Sequence, residues 1–153
     1  MKRSEALAPL SRDHHQALFR AMKLKRAEDL AERDAAIEFF ASTEFTHMAL
    51  EEQVLLPAWL EKASTDASEA MARRVVEEHQ LLISSVERIR GGEVTVADLR
   101  ELGIVLERHV RYEERELFPV IEADLSDDDL SALGEALKNG VRGSADQPDA
   151  GSG

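Results

Sequence analysis

Two segments of the chain share one chemistry-bearing skeleton. The first is 47-HMALEEQVLLP-57, and 62 residues later comes 109-HVRYEERELFP-119. Each sets a histidine four residues ahead of a glutamate, followed by a second acid, two apolar residues and a proline. Residues i and i+4 of a helix lie about 40° apart, so His47 shares a face with Glu51, and His109 with Glu113. An ionised glutamate in an apolar stripe is costly unless it is paired or bound to a cation. Imidazole beside carboxylate suits iron, manganese or zinc.

The other histidines of the five are His14, His15 and His79. His79 falls in a stripe with Val75, Leu82, Ile83 and Val86, which turns it inward. His14 and His15 point about 100° apart and cannot both face a core. On a helical wheel His14 lies roughly 20° from the apolar centre and His15 roughly 80°. The match of 15-HQAL-18 to 79-HQLL-82 favours His15 instead, so the alternatives stay open. Glu44, Glu52, Glu78 and Glu114 read most simply as solvated acids, and Trp59 and Tyr112 as packing residues. One inward histidine is more often a hydrogen-bonded core residue than a ligand. One on each of four helices, with a duplicated H-x3-E, points to a metal.

These residues need helices to position them. Ala, Leu, Glu and Arg dominate, and no strand-like alternation of any length occurs. A first helix is expected from Ala6 or Ser11 to about Glu32, and a second from a cap at Asp34 to about Lys62, with little or no break between them. A loop at 63–68 precedes a third helix, which Gly91-Gly92 stops near Arg90. Thr95 and Asp98 form a capping box that opens a fourth helix to about Ala123. Ser126 and the following aspartates cap a short fifth ending near Gly140. Residues 141–153 read as a disordered tail, and 1–140 as one domain. The fold class is all-α, an antiparallel up-down four-helix bundle with a short fifth C-terminal helix. On the second helix Thr43, Leu50 and Val54 share the His47 face. On the fourth, Leu102, Leu106, Glu116 and Leu117 share the His109 face.

Composition narrows the chemistry. The 153 residues suit one domain with a real core. The absence of cysteine excludes disulfides, thiolate metal sites and a thiol nucleophile, and fits a cytoplasmic setting. A net charge of −12 disfavours nucleic acid as a partner. The basic run 20-RAMKLKR-26 reads as a solvated helix end. No apolar run is long enough to span a membrane, and MKRSEALAPL lacks the apolar region of a signal peptide. The acidic surface favours a monomer.

Together, Asp13-His14, His47-x3-Glu51, Glu78-His79 and His109-x3-Glu113, with the proline-ended EEQVLLP and EERELFP, resemble the hemerythrin-like family of HHE cation-binding domains. The resemblance covers about residues 7–137. It implies a bundle holding two iron ions joined through oxygen (Fe–O–Fe), bridged by Glu51 and Glu113. His14 and His47 would sit on one iron, His79 and His109 on the other. The chain departs from the oxygen carriers of that family. They have two histidines four residues apart on the third helix, where Val75 and Ile83 stand on either side of His79 here. They also have an aspartate five residues after the last histidine, where this chain has Glu113 four after. Glu78 and His15 are the nearest candidates to replace the lost ligand. An iron with a ligand fewer can bind or react with O2, peroxide or nitric oxide. The alternative is a metal-dependent sensing or iron-handling module that acts through a protein partner without turnover. A third is a structural bundle without metal. No H-E-x-x-H supports a zinc hydrolase.

Overall fold

A computed structural model describes residues 2–146. The described residues form helices and no strand. We label the helices α1 (Ala8–Lys25), α2 (residues 33–63), α3 (Asp66–Arg90), α4 (residues 96–124) and α5 (Asp127–Asp146). Hydrogen bonds fix how neighbours run. The α1 side ties Arg3 to Glu122 at 2.6 Å and Lys25 to Glu107 at 2.8 Å, so α1 and α4 are antiparallel. His109 on α4 meets Glu78 on α3 at 2.7 Å, and Arg74 lies over the Tyr112 ring, which makes that pair antiparallel too.

The ends follow local chemistry, with three differences from expectation. α3 opens on a reciprocal Thr65–Ser68 capping box, and α4 on the expected Thr95–Asp98 box. α3 stops at Gly91, and Gly92 takes φ 136°, a conformation only glycine adopts readily. Ser126 Oγ accepts the Asp129 N–H at 3.1 Å ahead of α5. The expected near-continuity of the first two helices does not hold, because α1 ends at Lys25 and residues 26–32 break the chain. Asp34 is not the cap either; it lies in the first turn of α2. Arg33 instead crosses to donate to the Ile89 and Arg90 carbonyls, satisfying the end of α3. α5 runs past Gly140 to Asp146. Gly140 is there for close packing rather than as a stop, since a Cβ would stand 2.7 Å from Leu50 Cδ2. The rest of the stretch read as a tail, 147–153, lies outside the described residues.

Three π-helical turns interrupt the long helices, at Phe40–Glu44 and Glu51–Leu55 on α2 and at Glu113–Leu117 on α4. The last two sit at the same place in the repeated skeleton. A π turn takes an extra residue, so the face advances by one position. That is why Glu116, expected inward, is exposed while Leu117 is fully buried, and why Leu55 rather than Val54 is fully buried on α2. It also explains the prolines. Pro57 and Pro119 each open the α-helical turns that follow a π turn, where a missing N–H is tolerated.

The interior has two apolar cores. The first gathers Leu24, Phe40, Met48, Leu82, Ile89, Leu102 and Leu106, among others. The second gathers Leu7, Leu55, Trp59, Val75, Leu117, Phe118 and Ile121 with residues of α5. Each fully buried leucine or isoleucine contributes about 1.5–3 kcal/mol. On α1 and α3 the buried histidine falls between the residues of the two cores, and on α2 and α4 it lies one residue before the last first-core member, Met48 and Val110 respectively, where the second core takes over. The helices therefore carry a polar layer across the middle of an apolar interior.

Candidate metal centre

The polar layer contains His14, His47, Glu51, His79, His109 and Glu113, all essentially inaccessible to solvent. All six candidate ligands from the sequence are thus brought together. His15 is exposed, so of the adjacent pair only His14 enters the layer.

The donor atoms form two groups. His14, His47, Glu51 and Glu113 present atoms within 4.8 Å of one another, and so do Glu51, His79, His109 and Glu113. The two glutamates belong to both groups. Glu51 turns one oxygen to His47 Nε2 at 3.1 Å and the other to His79 Nε2 at 3.0 Å. Glu113 turns one to His14 Nε2 at 2.8 Å and the other to His109 Nε2 at 3.2 Å. The Nε2 atoms all converge on these carboxylates.

The outward nitrogen of every ring meets another acid. His14 Nδ1 meets Glu114 at 2.8 Å, and His47 Nδ1 meets Asp13 at 3.0 Å. His79 Nδ1 meets Glu52 at 2.6 Å, and His109 Nδ1 meets Glu78 at 2.7 Å. Acids behind imidazoles fix the tautomer with Nε2 free for a metal and raise its basicity. Three of the acids read from sequence as solvated, Glu52, Glu78 and Glu114, therefore have work at the centre. Glu78 backs His109, which removes it as a replacement for the lost third-helix ligand. A sequence signal was present: each backing acid is the chain neighbour of a ligand on a different helix, as Asp13 is of His14 and Glu52 of Glu51.

Electrostatics describe a site built for positive charge. Burial alone would lower the His14 pKa, but Glu113 and Glu114 outweigh it and raise it to about 9. His79 is likewise raised to about 9 against its burial by Glu113 and Glu51. His47 and His109 stand well above the ordinary imidazole range for the same reason. Burial would raise the Glu113 carboxyl, yet the surrounding histidines, His109 foremost, hold it well below the ordinary carboxylate range. Without a metal, protons on the rings balance the acids. Two buried atoms, His109 Nε2 and Glu113 Oε2, have no hydrogen-bond partner, and they face each other. Orphaned donor atoms of this kind fit a cation between them.

The model of the family described as hemerythrin HHE cation binding domain matches residues 8–138. The chain belongs to that family. Its matched span contains every residue of the polar layer, and the buried His/Glu groups of this hemerythrin-like domain fit the cation binding in the family's description. No curated protein and no solved structure matches the chain. No helix among the described residues is long and apolar enough to cross a membrane.

Proposed function

We propose that this HHE domain holds two iron ions and that the pair binds or reacts with O2, peroxide or nitric oxide. The observation that carries the reading is the sharing of Glu51 and Glu113 between two histidine pairs, each carboxylate offering one oxygen to each. A single ion would leave half of that donor set unused. Each group of two imidazoles and carboxylate oxygens is the donor set of non-haem iron with open positions. His14 and His47 would hold one ion, His79 and His109 the other, and Glu51 and Glu113 would bridge them. The same reading takes α1 to α4 as an up-down four-helix bundle around the pair, with α5 packed against it.

Iron supplies redox and ligand-binding chemistry that no side chain here offers. The protein's part is to position and to insulate. Asp13, Glu52, Glu78 and Glu114 hold the imidazoles in one tautomer. The two apolar cores keep bulk water from the layer, which strengthens every charge interaction inside it. Neither group includes more than four protein donors, fewer than an octahedral ion takes, so a small ligand has a place to bind.

Elemental analysis of the untagged protein, with a visible spectrum of the same sample, tests this. About two irons per chain and an oxo-bridged ferric band are expected. Zinc alone, one ion, or none after anaerobic iron loading would overturn it.

A further inference from the structure

Glu44 is fully buried on α2, and neither of its carboxylate oxygens has a hydrogen-bond partner among the described residues. Such an acid is strongly disfavoured unless something satisfies it. The metal-binding arrangement does not use it, because its oxygens fall outside both donor groups. Its place on the helix is informative. Glu51 follows His47 by four residues, whereas Glu44 precedes it by three, so the two acids flank His47 from opposite sides along one helix face. Glu44 closes the π turn Phe40–Glu44 and lies between Phe40 and Met48, both members of the first core. Glu51 opens the π turn on the other side, next to Leu55 of the second core. The shared carboxylates thus approach from one side of the polar layer and Glu44 from the other.

The sequence repeat supplies a control. The position 62 residues after Glu44 is Leu106, fully buried in the first core. The same place in the other half of the site is satisfied by an ordinary apolar residue. The fold does not require an acid there, and the acid sits only on the half that carries His14 and His47. Burial pushes the Glu44 carboxyl up from its ordinary value, with His47 and Glu51 the foremost charges acting on it. When it carries its proton, a carboxyl is a hydrogen-bond donor.

We propose that Glu44 hydrogen-bonds the small ligand taken up by the metal that His14 and His47 hold. The ligand class is a diatomic or triatomic molecule or anion whose outer atom accepts a hydrogen bond. This rests on the metal-pair reading above. It makes the two metals unequal: ligand goes to the Glu44 side, and the Leu106 side offers it no donor.

The test compares iron-loaded wild type, Glu44→Gln and Glu44→Leu. Iron per chain is measured first, then each is titrated with azide, an anionic probe followed by its charge-transfer band on ferric iron. All three should hold the same iron. Glu44→Gln keeps a donor and should bind azide within about twofold of wild type, while Glu44→Leu should bind it about tenfold more weakly. Metal-free Glu44→Leu should melt about 3 °C or more above wild type, since leucine removes a buried unpartnered acid. That rise also shows that the variant folds. Equal or tighter azide binding by Glu44→Leu at full iron content overturns the proposal. So does loss of iron from that variant, which would make Glu44 a metal ligand. Wild type that holds no iron fails the metal-pair reading and takes this one with it.

Discussion

The two halves of the site are built from one plan and finished differently. In the α1–α2 half, His14 and His47 bring their Nε2 atoms to 3.1 Å, and Phe118 stacks on the His14 ring with centroids 5.2 Å apart. In the α3–α4 half, the His79 and His109 rings lie 4.9 Å apart, and the repeat counterpart of Phe118, which is on α4, is Leu56 on α2. Glu44 and Leu106 occupy equivalent positions of the repeat. Asp13, backing His47, also lines a groove of about 610 Å³ between α1, α2 and α5, with Leu10, Leu50 and Leu137 on its walls. What the halves share is what holding a cation requires: an inward Nε2, an outward acid and a carboxylate used by both. What differs surrounds the α1–α2 histidines: Phe118 stacks on His14, and Glu44 lies three residues before His47. The repeat thus separates the features common to both His/Glu groups from those found at only one of them.

The largest effect should come from the parts that belong to both halves. Glu51→Ala or Glu113→Ala removes a donor from each group at once, so iron should fall from about two per chain to nearly none. His47→Ala and His79→Ala each touch one group and should leave about one ion bound. Elemental analysis of the four proteins separates the cases. Retention of one ion by Glu113→Ala would mean that the glutamates do not bridge.

Acidity offers a second way to break the symmetry of protons and metals. In the metal-free protein His14 and His79 have folded pKa values of about 9, above the ordinary imidazole value. A raised folded pKa contributes stability that is full below the unfolded value, near pH 6.5, and is lost as pH rises through about 9. Metal-free protein should therefore melt progressively lower between pH 6.5 and pH 9.5. Iron replaces the ring protons, so the loaded protein should lose much less over that range, and metal uptake should release protons. A melting series with and without iron checks it, and identical slopes would contradict it.

Much of this centre was legible in the sequence because its signal is periodic. The helices, the caps of α4 at Thr95 and of α5 at Ser126, and the six inward candidate ligands follow from the 3.6-residue period, local cap chemistry and the H-x3-E repeat. The parts that were not legible depend on relations a period cannot encode. The break at 26–32 carries no proline or glycine to announce it. The π turns change the period itself, which is why Glu116 was placed inward. The backing acids act across helices, so on their own helix Glu52, Glu78 and Glu114 look like solvent-facing charges. Glu44 was hidden in the same way, by being an acid on a helix rich in acids.

The backing acids give a third and smaller test. Glu78→Gln acts behind His109 and Asp13→Asn behind His47. Each should weaken iron on its own half by about 10–100-fold and leave the other half occupied. A chelator competition read at two stages would show a weak and a strong ion in each variant. Asp13→Asn should also weaken azide uptake, because it loosens the ion on the Glu44 side. Glu78→Gln should not.

The smallest effect tests whether the α1–α2 half leans on packing that the other half lacks. α1 crosses α4 at Gly103, where a Cβ would stand 2.8 Å from the Ala21 carbonyl oxygen and 2.9 Å from the Lys25 nitrogen. Those neighbours are backbone, so Gly103→Ala must push α1 away rather than turn a side chain aside. The cost should be about 1–3 kcal/mol, visible as a lower melting temperature. His14 and Asp13 ride on α1, while His79 and His109 do not. The displacement should therefore lower affinity for the ion held by His14 and His47 several-fold and leave the other nearly unchanged. Equal weakening of both ions would mean that the shared carboxylates transmit the shift, and that the halves differ in ligand chemistry but not in mechanical support.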